Sequence, residues 1–150
     1  MSHKQAIIDT GNTHYQKLKL FPAFIEHFNK SIEDKRYGKI VLLNATADFL
    51  RFNYAGHAVS VHLETIAGSE DSQARAFLAV YLTSPEMTAQ HLLAGIPFNE
   101  EGKTLVAPHG QPDGGSIAGS EPEFDTVLER ILHAILRYSE MRNPKIHWSA

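Results

Sequence analysis

The sequence predicts an α+β domain. An antiparallel sheet of about five to six strands, a meander over 39–83 plus a hairpin over 96–107, carries N-terminal and C-terminal helices on one face. Three observations lead there. Apolar residues recur at helical spacing near both ends of the chain. Between residues 39 and 83 the apolar period switches from 3.6 to 2. The connections between those alternating segments are too short for the crossovers that parallel strands need.

The elements follow in order. In residues 4–20, Ile8, Gly11, Tyr15 and Leu18 fall at helical spacing, whereas "YQKLKLF" alternates like a strand; helix is the favoured reading. From Pro22 to Ile32 the stripe Phe21, Phe24, Ile25, Phe28 and Ile32 marks a helix with Pro22 in its first turn and Tyr37-Gly38 ending it. "KIVLLN" (39–44) is a continuous apolar run and reads as a buried strand. "TADFLRFNY" (46–54) alternates, with Leu50, Phe52 and Tyr54 opposite Phe49, Arg51 and Asn53. After an Ala-Gly turn, "HAVSVHLETI" (57–66) sets Val59, Val61 and Leu63 against Ser60, His62 and Glu64. A polar loop leads to "ARAFLAVYLT" (74–83), whose faces are Ala76, Leu78, Val80, Leu82 and Arg75, Phe77, Ala79, Tyr81. "SPEMTAQHLLAG" (84–95) reads as a short helix or turn, with Ser84 and Pro85 at its start and Gly95 after its end. "IPFNEEGKTLVA" (96–107) reads as a hairpin around Glu101-Gly102, and 107–119 as a mobile connection. Phe124, Val127, Leu128, Ile131, Leu132, Ile135 and Tyr138 then form the broad stripe of a final helix, which Asn143-Pro144 stops.

Composition narrows the function classes. The 150 residues suit one domain, residues 1–150, able to bury a sizeable core. The net charge of −3 gives no general attraction to polyanions, and the basic clusters Lys17/Lys19 and Lys30/Lys35/Arg36 are short, so no nucleic-acid partner is expected. The absence of cysteine excludes disulfides, thiolate nucleophiles and cysteine-ligated zinc, and fits a reducing compartment. No signal-peptide pattern and no run near the roughly 20 apolar residues of a membrane helix is present, so the expectation is a cytoplasmic, soluble protein with no membrane partner.

"GGSIAGS" before the last helix resembles a phosphate loop only superficially. Lys-Ser/Thr does not follow Gly119, and Glu121, Glu123 and Asp125 already occupy the positive end of the helix dipole. Ser120-Glu121-Pro122-Glu123 matches the capping box, in which Ser120 Oγ accepts from the Glu123 N–H and the Glu123 side chain returns to the Ser120 N–H.

Nine histidines invite a search for chemistry. His62 and Glu64 share a strand face with Ser60, as a metal pair or an oriented general base would; a solvent-facing polar side of the sheet is the favoured explanation. Asp125, Glu129 and His133 form an i, i+4 row that fits a solvated helix face. His109 in the loop is a further candidate, while the neighbouring Asp113-Gly114 reads as a turn. No G-x-S-x-G elbow, kinase set or zinc signature occurs, so no reaction, metal or cofactor is assigned.

Two functions follow as expectations. The first is a non-catalytic binding or adaptor domain acting as a homodimer or binding a protein partner, with Phe49, Arg51, Phe77 and Tyr81 on a sheet face that the helices leave open. The alternative is a small-molecule-binding protein or small enzyme. It takes a small apolar ligand between the sheet and the C-terminal helix, with Tyr54, His62, Glu64 and His109 as polar contacts and 107–119 as lid.

Overall fold

The computed structural model describes residues 2–68, 73–83 and 89–142. Two helices open the chain, α1 (His3–Leu18) and α2 (Phe21–Glu33). Five strands follow, β1 (Ile40–Ala45), β2 (Phe49–Tyr54), β3 (His57–Ile66), β4 (Arg75–Thr83) and β5 (Gln90–Pro97). They form one antiparallel sheet in the order β1-β2-β3-β4-β5. A separate two-stranded ribbon, β6 (Lys103–Leu105) with β7 (Pro112–Ser116), precedes α3 (Glu121–Arg142). The fold is α+β, with the antiparallel sheet and the terminal helices the sequence predicts.

The core lies between the helices and one sheet face. Leu50, Phe52, Val59, Val61, Leu63, Leu78, Val80 and Ile96 are buried there under Phe21, Phe24 and Phe28 of α2 and Phe124 through Ile135 of α3. Phe28 packs on Phe52 with ring centroids 5.0 Å apart, and Phe24 meets Phe124 edge-on at 5.3 Å. Each such side chain contributes about 1.5–3 kcal/mol through burial. The β2–β3 turn is tight: Ala55 and Gly56 both take positive φ, 51° and 80°, as a two-residue hairpin of the primed type requires.

Charge pairs fasten α2 to the acidic start of α3. Arg36 reaches Glu121 at 2.8 Å, Asp125 at 2.9 Å and Asp34 at 3.0 Å, and Lys30 reaches Glu121 at 3.1 Å. Tyr37 donates to Glu129, and burial together with the Asp125 and Glu129 carboxylates pushes its hydroxyl up to about 12. The basic cluster 30–36 therefore serves packing. Half of the capping box forms: the Ser120 N–H donates to Glu123 Oε1 at 2.9 Å. The Ser120 hydroxyl donates to the same carboxylate oxygen instead of accepting from the Glu123 N–H.

Four sequence expectations need correction. Residues 90–95 are strand, not helix: β5 pairs with β4 along its length, and an irregularity in the register at Leu93 breaks the alternation that would have announced it. (Ser84, Pro85 and the tail from Asn143 lie outside the described residues.) The 96–107 segment turns where expected, with Asn99 Oδ1 accepting from the Glu101 and Lys103 N–H groups, and Phe98 bridges Thr104. Its arms nevertheless part, the first ending β5 and the second pairing with β7. The segment 107–119 is not a structureless connection, because it contains β7 and the buried Ser116 and Ile117. Gly115 is there for close approach: a Cβ at that position would stand 2.5 Å from Thr104 Oγ1 and 2.9 Å from Val127 Cγ2 of α3. Finally, β1 is an edge strand whose Val41 and Leu43 are exposed, not a strand buried on both sides.

Candidate binding surfaces

The sheet face away from the helices has its own order, set by the strand register. Arg51, Ser60, Tyr81 and Leu92 lie in one cross-strand row, Phe49, His62 and Ala79 in the next, and Glu64 and Phe77 in a third. The Phe49 ring stacks on His62 with centroids 5.3 Å apart and planes 17° apart. Tyr81 meets His62 edge-on at 5.3 Å and donates its hydroxyl to Glu64 Oε2 at 2.8 Å. That bond, with burial second, raises the Tyr81 hydroxyl above its ordinary value. The Arg51 guanidinium lies over the Phe49 ring at 6.0 Å.

Apolar residues surround this cluster. Val41, Leu43, Ile66 and Leu92 are between 42% and 53% exposed; Val41, Ile66 and Leu92 belong to this face by register, and Leu43 is the extra residue at the irregularity between Leu42 and Asn44 of β1. Several polar atoms beneath them are buried without a partner: Ser60 Oγ, His62 Nε2, Arg51 Nε and Thr83 Oγ1. A buried polar group left unpaired costs roughly 1–3 kcal/mol.

Six of the sequence-predicted residues therefore share one face: Phe49, Arg51, His62, Glu64, Phe77 and Tyr81. Tyr54 is on the opposite face, packed against the core at the β2–β3 turn. The space between the sheet and α3 is filled by Val127, Leu128, Ile131 and Ile135. His109 stands apart, where its Nε2 meets Arg75 Nη1 at 2.9 Å. Glu64 Oε2 accepts from Tyr81, and His62 Nε2 is buried without a hydrogen-bond partner. Among the described residues no group of three His, Asp or Glu side chains is placed to hold a metal ion.

A second feature lies at the other end of the sheet, where α1 crosses β3 and β4. The helix turns a polar side inward. Asp9 Oδ2 accepts from the Ala74 N–H, Thr10 Oγ1 from the Gly68 N–H, and His14 Nδ1 meets Thr65 Oγ1 at 2.7 Å. Ile7, Ile8 and Tyr15 face solvent. A polar groove of about 820 Å³ opens between α1, the start of β4 and the 98–109 segment. Beyond Arg75 an apolar notch of about 340 Å³ lies between Phe77, Pro97 and Val106.

Lys17 and Arg75 in the groove went unmarked in the sequence. A polar stripe on a helix ordinarily signals the solvent side, and here Asp9, Thr13 and Lys17 form the packed side. Among the described residues no helix is long and apolar enough to cross a membrane. A comparison with protein-family models finds none that matches, and comparisons with curated proteins and with solved structures find no significant match.

Proposed function

We propose that this protein is a non-catalytic binding module that works as a homodimer, with the open face of the five-stranded sheet as the contact. One observation carries the reading. That face presents Val41, Leu43, Phe49, Ile66, Phe77, Tyr81 and Leu92 around partnerless buried polar atoms, and no helix of the described chain packs on it. Antiparallel sheets ordinarily turn polar residues to water on their uncovered side. Exposed apolar residues gathered on one uncovered face mark an interface.

A second copy suits the face in charge and size. Arg51 and Glu64 are both on it, and among the described residues Arg51 makes no ion pair. A two-fold axis through the centre near His62 would bring each Arg51 toward the other copy's Glu64, since isologous contacts pair residue i with j twice. Five strands of six to ten residues, about 4.8 Å apart and about 3.3 Å per residue, give a face of roughly 600 Å². Two such faces bury about 1,200 Å², the lower bound for specific complexes, where weak and transient contacts are found.

Sedimentation velocity between about 1 and 200 μM tests this. The parent chain is expected to shift from monomer to dimer across that range. Leu43→Glu and Leu92→Glu are expected to stay monomeric and folded, and Ile7→Glu on α1 to behave like the parent. A parent chain that stays monomeric throughout, or outer-face variants that dimerise unchanged, would refute the reading.

A further inference from the structure

We infer that the apolar notch between Phe77, Pro97 and Val106 is a binding site for a small aromatic molecule that carries a neutral hydrogen-bond acceptor, as an aromatic amide does. The inference goes beyond the dimer contact. Ile66 and Phe77 stand at the corner of the open sheet face, but every wall of the notch belongs to one copy.

The notch is built into the fold on both sides. Its floor is the pair Phe77 and Pro97, matched across β4 and β5. Gly95 beside them leaves the Phe77 ring bare, since a Cβ there would stand 3.4 Å from that ring. The opposite wall runs from Val106 to Pro108. Arg130 of α3 fixes it by donating to the Leu105 carbonyl at 2.7 Å and the Val106 carbonyl at 3.4 Å. The Val106 N–H donates to the Gln111 carbonyl at 3.0 Å, and the Gly110 N–H closes the turn on the Ala107 carbonyl at 2.8 Å. Val106 and Ile66 are nevertheless 64% and 46% exposed, and both line this one notch. Apolar side chains held in the open around a concave space mark where an apolar ligand is received.

Arg75 narrows the class. It is the one charged group among the described residues that line the notch. Its Nη1 donates to His109 Nε2 at 2.9 Å, and its Nε–H is buried without an acceptor. On its other side Arg75 borders the polar groove, where Asp9 and Glu100 offset its charge and that of Lys17. The notch therefore asks for a neutral ligand and not for an anion. A guanidinium set in an apolar wall stacks on aromatic faces, and the rings of Phe77 and Phe98 add edges and faces of the same kind, so an aromatic ring is favoured over a saturated one. Arg75 as a whole is half-buried, which leaves it free to re-seat and give its Nε–H to an acceptor on that ring. The volume of about 340 Å³ is at the small end of ligand sites and suits a single small ring system.

The test is an NMR titration of the ¹⁵N-labelled full chain with benzamide, against cyclohexanecarboxamide and sodium benzoate. Benzamide is expected to give saturable shifts at the amides of Phe77, Gly95, Phe98 and Val106, with dissociation in the millimolar range. Cyclohexanecarboxamide should bind several-fold more weakly, and benzoate no more tightly than benzamide. Gly95→Val fills the notch with a residue that strands favour, and is expected to fold with unchanged or raised Tm and to lose binding. Arg75→Met should weaken benzamide and erase its advantage over the saturated amide. Leu92→Glu, which is meant to block the dimer, should bind benzamide like the parent, so the two readings fail separately. No saturation by about 20 mM benzamide, unchanged affinity in folded Gly95→Val, cyclohexanecarboxamide binding as tightly as benzamide, or benzoate binding more tightly would overturn the assignment.

Discussion

Asp113 is the joint between the β6–β7 ribbon and α3, and replacing it by alanine should loosen the C-terminal half of the fold. Its Oδ1 accepts from the Thr104 hydroxyl at 2.5 Å and from the Gly115 N–H at 2.8 Å, and its Oδ2 from Arg130 Nη1 at 3.0 Å. The carboxylate is 17% exposed and Arg130 30%, so solvent screens the pair only in part. Each bond to a charged group contributes about 1.5–3 kcal/mol, and the bonds are not additive. Asp113→Ala also strands the Thr104 hydroxyl, which belongs to a fully buried residue. Together these give a loss of about 3 kcal/mol, or about 6–12 °C in Tm for a chain of this length. Thermal unfolding followed by circular dichroism at pH 7 measures it.

The same joint has a pH signature. Burial tends to raise the Asp113 carboxyl, but Thr104, the Gly115 N–H and Arg130 outweigh burial and hold it below the ordinary value. A depressed carboxyl contributes stability that is present above the unfolded value of about 3.9 and is lost as pH falls through the lower folded value. The gap between the parent and Asp113→Asn should therefore be full above about pH 5 and close toward pH 2. A Tm drop below about 2 °C for Asp113→Ala, or an Asn gap unchanged in acid, would falsify the argument.

Two further substitutions test the backbone assignments. Gly115→Ala places a methyl against Thr104 and Val127 and should cost about 1–3 kcal/mol in chemical denaturation. The same change at Gly11, in α1 with nothing within 4 Å of the new carbon, should add about 0.5–1 kcal/mol; equal effects at the two sites would refute the close approach of β7 to α3. Ala55→Asn supplies the residue a primed turn favours at a φ of 51°, and should raise Tm by about 1–4 °C. A lowered Tm there would contradict the turn geometry.

The elements with an uninterrupted period were legible in the sequence. The stripes Phe21–Phe28 and Phe124–Ile135, and the alternation of β2, β3 and β4, state directly which side chains enter the core. The elements that escaped had their signal overridden. The extra residue Leu93 takes β5 out of strict alternation, and β7 is built on the Gly114-Gly115 pair, which reads as loop until α3 is placed against it. In α1 the solvent side holds Ile7, Ile8 and Tyr15 and the packed side holds Lys17, an inversion that pattern reading takes at face value. For the candidate contact, strand period placed Phe49, Arg51, Phe77 and Tyr81 together, whereas setting His62 and Glu64 on that face, and not under α3 with Tyr54, needed the strand register. The contributions of Leu43, Ile66 and Leu92 needed the order of strands in the sheet. The apolar run "KIVLLN" reads as a strand covered on both sides, and β1 meets that description only if its outer side is covered as well.

Hydroxyl-radical footprinting of the leucines tests the dimer contact most directly, because it reports side-chain exposure residue by residue in solution. Leu43, Leu92 and Leu136 are comparably exposed in a single copy, at 50%, 53% and 45%, and Leu136 is on α3, away from the open sheet face. At concentrations where the chain dimerises, oxidation at Leu43 and Leu92 should fall well below that at Leu136 and recover on dilution. Equal oxidation of all three leucines at every concentration would contradict a contact through the open face of the sheet.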